Sequence, residues 1–69
     1  MSAPHIERMK DELTQLADRT AKLATFISGN PIFKQLPGDE RDLMRQQLVH
    51  MEGYRDTLDT RLDLAERAQ

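Results

Sequence analysis

Four cations and one aromatic hold most of the chemistry this chain can offer: Arg8, Lys22, Arg55 and Arg61, with Tyr54. Arg8 and Lys22 are 14 residues apart, two heptads, so on one helix they project from the same side. A cation on such a face can hold a phosphate through charge-assisted hydrogen bonds. Arg55 stands at a position where the surrounding pattern calls for leucine, and its charge must reach solvent, a carboxylate or a ligand phosphate. Arg61 sits beside Leu62, at the edge of the same pattern. Each cation also fits a plainer role, its stem lying over apolar surface and its head in water. Tyr54 fits either a boundary residue with a covered ring and a wet hydroxyl, or an aromatic that stacks on a base. The formal net charge is −2 and charged residues of both signs make up 32%, so the chain as a whole does not attract anions. Several copies brought together by symmetry would focus these cations into one concavity in spite of that total.

Catalytic chemistry is not evident. His5 and His50 are far apart and have no ligand spacing around them, so no metal or cofactor is expected. Ser2 and Ser28 fall at cap or turn positions without a base nearby, and Gly29, Gly38 and Gly53 are isolated rather than gathered into a phosphate loop. The chain is therefore read as a binder and not an enzyme. Without cysteine there is no disulfide framework, which fits a reducing cytoplasm. The charge balance and the sparse aromatics, Phe26, Phe33 and Tyr54, argue against DNA as a partner. No apolar run approaches the roughly 20 residues that span a bilayer, and Met1 to His5 lack the apolar core of a secretory signal.

The elements that must position these side chains are helices. Ile6, Met9, Leu13, Leu16, Thr20, Leu23 and Ile27 step by alternating threes and fours, the seam of a helix packed lengthwise on another. Met44, Leu48, Met51, Arg55, Leu58, Leu62 and Ala65 repeat the spacing. Ser28-Gly29-Asn30-Pro31 interrupts them, with Gly29 as a C-terminal stop and Asn30 capping a short helical turn opened by Pro31. The expectation is an all-α chain: one helical-hairpin domain over 1–69, with helices at about 4–28 and 38–66 and a short helical turn at about 31–35. Ser2 or Ala3 caps the first helix, and Lys22 lies near the negative end of its dipole. Ile32, Phe33 and Leu36 plug the closed end. Gly53, costing on the order of 1 kcal/mol against alanine, marks close approach by a neighbouring helix. Ala17, Ala21, Ala24 and Phe26 beside the first seam, and Leu43, Tyr54 and Leu64 beside the second, make a stripe wider than one partner helix covers. A hairpin has no further interior, so copies are expected to assemble, with binding sites between them.

The string itself resembles a known group of phage proteins. His5-Ile6-Glu7-Arg8, Asp11-Glu12, Leu16 and Lys22-Leu23-Ala24-Thr25-Phe26-Ile27 carry the likeness in the first half. Asn30-Pro31-Ile32-Phe33, Leu36-Pro37, Glu40, Leu43-Met44-Arg45-Gln46-Gln47-Leu48, Met51, Tyr54, Leu58 and Arg61-Leu62 continue it to residue 62. The chain is similar to the helical-hairpin domain of phage anti-CBASS proteins, a domain shared with some anti-Thoeris proteins. The resemblance implies a sponge that sequesters cyclic di- or trinucleotide messengers without cleaving them, in the cytoplasm of the infected bacterial host. It implies a homohexamer with ligand sites between subunits. Lys22 falls at the family's late first-helix lysine near the ligand phosphate, and Arg61 at the late second-helix arginine of the trinucleotide site. The family's threonine lies two positions after the lysine, where this chain has Ala24, with Thr25 adjacent. Arg8 would support the phosphate contacts. The stacking aromatic near the start of the first helix is replaced by Glu7 or a near neighbour, and a carboxylate there removes a π contact. The alternative on the residues alone is a non-catalytic helical self-assembly or protein-interaction module.

Overall fold

The computed structural model describes residues 3–68, in three helices: α1 (Pro4–Gly29), α2 (Pro31–Gln35) and α3 (Gly38–Arg67). Helices α1 and α3 run antiparallel and pack along their length. Every position of the two predicted seams is buried or half-buried. Ile6, Leu16, Leu58 and Leu62 form the dry centre, with Leu58 fully sealed. Thr20 sits among them at 2% exposure, and its hydroxyl donates to the Leu16 carbonyl at 2.7 Å. That bond satisfies the one polar group the seam buries, so the threonine does not open the core to water. Arg55 is half-buried, with its guanidinium 3.4 Å from Asp56.

The ends of the helices follow from local chemistry, with some departures from expectation. Ala3 is the N-cap of α1 and offers no side-chain bond, while Pro4 fills the first turn. Ser2 lies outside the described residues. Helix α1 does not end through a left-handed glycine, and no described residue has positive φ. Asn30 stops it instead: the following Pro31 holds it extended, at φ −83° and ψ 126°. The Asn30 side chain then accepts from the Ile32 N–H at 2.8 Å and opens α2. Lys22 is not at the dipole's negative end. No basic residue lies in the last turn of α1, and the field fades within that turn. Lys22 pairs instead with Asp18 one turn back, at 3.0 Å.

The closed end is plugged by Phe33 and not by all three expected residues. Phe33 is 4% exposed, meets Phe26 edge-on with centroids 5.9 Å apart, and lies 5.3 Å beneath the Arg45 guanidinium. Leu36 is half-buried, and Ile32, one residue round the short helix, faces solvent. Gly53 has no close neighbour in this chain. An added Cβ there would meet nothing within 4 Å, so no helix of this chain approaches it. The result is a rod of 50 × 15 × 14 Å with a radius of gyration of 15.5 Å. A compact chain of this length would have about 11 Å.

Candidate functional site

The expected site residues fall in two places along the rod. Lys22 and Thr25, three residues apart on α1, line one open hollow of about 530 Å³ with Phe26 and the turn from Ser28 to Pro31. Both side chains are exposed, and the Asp18 carboxylate tempers the lysine's charge. This corner therefore offers one mobile ammonium, a hydroxyl and an aromatic edge. The hollow is too open to hold a small molecule by enclosure within one chain.

The other place lies on one flank of the seam. The Tyr54 hydroxyl donates to Glu12 Oε2 at 2.7 Å, bridging α3 to α1. Tyr54 is 47% exposed, so much of its ring remains open to solvent. Hydrogen bonding to Glu12 raises the tyrosine's pKa above 10.0, with desolvation and the carboxylate's charge adding, while Arg61 and Arg19 act to lower it. The register puts both arginines on this flank: Arg19 is one heptad from Glu12 on α1, and Arg61 is one heptad from Tyr54 on α3. Arg8 lies one turn from Glu12 toward the open end. Arg8, Arg19 and Arg61 make no ion pair among the described residues.

The opposite flank has the reverse sign. Glu52, Asp56, Asp59, Asp63 and Glu66 line up along α3 at alternating spacings of four and three. Lys10 reaches across from α1 to Glu66 at 3.7 Å, and Ala17 and Ala24 complete that side. A third feature, an apolar hollow of about 380 Å³ on α3 at Arg45, Gln46, Val49 and His50, includes none of the expected site residues.

The structure thus brings Lys22 and Thr25 together, and Tyr54 and Arg61 together with Arg8 on the same flank. It does not join the two groups within one chain. Arg8 and Lys22 alone are separated by about 20 Å of helix at ~1.5 Å per residue. Two participants, Glu12 and Arg19, escaped the reading of the sequence. Their signal was present: each immediately precedes a seam residue, Leu13 and Thr20, as Tyr54 and Arg61 precede Arg55 and Leu62. In an antiparallel pair such positions share one flank.

A family model described as Sequestin matches residues 3–64, nearly the whole chain. The chain belongs to the Sequestin family. No curated protein and no solved structure matches it. The Sequestin name denotes holding a molecule, a binding role. Among the described residues of this Sequestin no group of three or more histidine or acidic side chains could hold a metal ion. No helix among the described residues is long and apolar enough to cross a membrane.

Proposed function

We propose that this Sequestin is a phage anti-defence sponge that binds cyclic di- or trinucleotide messengers, without cleaving them, in the cytoplasm of the infected bacterium. By mass action it would lower the free messenger below what a CBASS-type effector needs. The observation that carries the reading is the family match over residues 3–64, together with the likeness to anti-CBASS proteins. The ligand would be held by exposed cations. Lys22 and Thr25 serve one phosphate contact at the closed end, and Arg61 with Arg8 serves another beside Tyr54.

The sites are completed by copies of the chain, with a homohexamer as the assembly the likeness implies. Three features support association. The accessible surface is 5169 Å², whereas a compact monomer of this mass exposes about 4,450 Å². Leu43 and Leu64 are each 59% exposed, on the same side of α3 as Tyr54. The Lys22 hollow is open on the single chain and needs a neighbour to enclose a ligand.

Titration calorimetry against a panel of cyclic di- and trinucleotides tests the reading. Tight binding is expected, with Lys22→Ala or Arg61→Ala weakening at least one ligand by about tenfold, as loss of a charge-assisted contact does. Absence of heat across the panel rejects it. The exposed Leu43, Val49 and Leu64 favour a second reading, a non-catalytic self-assembly or protein-interaction module. Under that reading Lys22→Ala leaves function intact, while Leu16→Glu or Met51→Glu abolishes it.

A further inference from the structure

We propose that Arg19 and Glu12 complete the Tyr54 flank as a site for a ligand with at least two phosphates. Arg19 and Arg61 each take a phosphate, on either side of the tyrosine, and Glu12 is a displaceable latch on its hydroxyl. The inference rests on the cyclic-nucleotide reading for its ligand class. It adds two residues and a way of discriminating between ligands.

The geometry begins with the bond from Tyr54 to Glu12 at 2.7 Å, which fixes the register of the flank. Arg61 lies one heptad from Tyr54 toward the open end, and Arg19 lies one heptad from Glu12 toward the turn. Each step is about 10 Å of helix. The two guanidinium groups therefore stand on opposite sides of the tyrosine. Neither has an ion-pair partner among the described residues, although the chain holds twelve acidic residues. Lys10, Lys22, Arg45, Arg55 and Arg67 are paired, while Arg8, Lys34 and Arg41 also have no ion-pair partner among the described residues. Unpaired guanidinium groups, with their fixed fork of donors, suit phosphate oxygens.

Glu12 is the acid best placed to neutralise them, and it is bound to a neutral hydroxyl instead. In that position it repels a phosphate that approaches Tyr54. A ligand with one phosphate gains one arginine against this repulsion. A ligand with two gains both, which is enough to move the carboxylate aside. The freed hydroxyl can then donate to the ligand, and the half-exposed ring offers a face for a base.

Tyr54 is the single tyrosine of a chain without tryptophan, so its fluorescence reports the latch directly. The test titrates cyclic trinucleotides, and inorganic pyrophosphate as a base-free ligand, into wild type, Arg19→Gln and Glu12→Gln, by calorimetry and tyrosine emission. Circular dichroism confirms that each variant is helical. For the trinucleotide, Arg19→Gln should weaken binding by about tenfold. Glu12→Gln should strengthen it several-fold, and binding should alter wild-type Tyr54 emission. Unchanged affinity in both Arg19→Gln and Glu12→Gln, with the wild type binding tightly, overturns the inference and spares the sponge reading. If no cyclic nucleotide binds but pyrophosphate shifts Tyr54 emission in an Arg19-dependent way, the sponge reading falls and the flank site stands. Silence toward both ligands removes both.

Discussion

Tyr54 shows how one contact sets the behaviour of a side chain. Its hydroxyl is a donor to Glu12, and ionising it would place two anions against each other. The tyrosine is therefore raised above 10.0, and the neutral form is the one the fold prefers. The associated stability is present below 10.0 and is lost as pH rises through the raised value. Replacing Glu12 with glutamine keeps a hydrogen-bond partner and removes the charge. Ultraviolet titration of the lone tyrosine should then show its pKa falling toward the ordinary value, and an unmoved midpoint would mean the bond does not persist in solution. Thr20 makes the complementary case. Its hydroxyl bonds to its own helix at Leu16, so Thr20→Val removes a donor without orphaning a partner across the seam. Thermal melts should show a change within about 1 kcal/mol of neutral, in either direction. The exposure of Tyr54 and the burial of Thr20 could both be anticipated from spacing. The Glu12 partner could not, because it depends on which turns of two distant segments lie side by side.

At the scale of elements, the alternating spacing was sufficient to place every seam residue inward, because a lengthwise helix pair has few ways to dry its apolar groups. Leu58 has no exposure at all, and Leu58→Ala should cost about 2–5 kcal/mol in a denaturant melt. With so few sealed side chains, that loss is a large share of the stability of a small domain. The connection was harder to foresee. Phe33 and Ile32 are adjacent and similarly apolar, and only the handedness of a five-residue helix decides which one enters the plug. Gly53 is a related case: a glycine within a helix signals close approach only if an element is present to approach, and none in this chain is. With open space at its Cα, Gly53→Ala should stabilise the protomer by about 1 kcal/mol through helix propensity. A lower melting temperature would show instead that a neighbouring copy packs on that face.

The single rod leaves Leu43 and Leu64 exposed, and under the proposed reading copies of the chain cover them. At micromolar concentration, sedimentation should find a particle heavier than the 8.0 kDa protomer, and Leu43→Glu combined with Leu64→Glu should return it toward that mass. A well-folded wild-type protomer that stays alone would remove the case for sites between copies. The proposed assembly and its proposed ligand positions are not legible in one chain, since both would be properties of surfaces meeting. The two flanks of α3 have a further kinetic consequence. With unpaired arginines along one side and a file of carboxylates along the other, the rod has a dipole across its width as well as along its helices. A small polyanion diffusing nearby is turned away from one broadside and drawn to the other, so its first encounters already favour the side with Tyr54. Added salt should therefore slow capture steeply while scarcely changing the rate of escape.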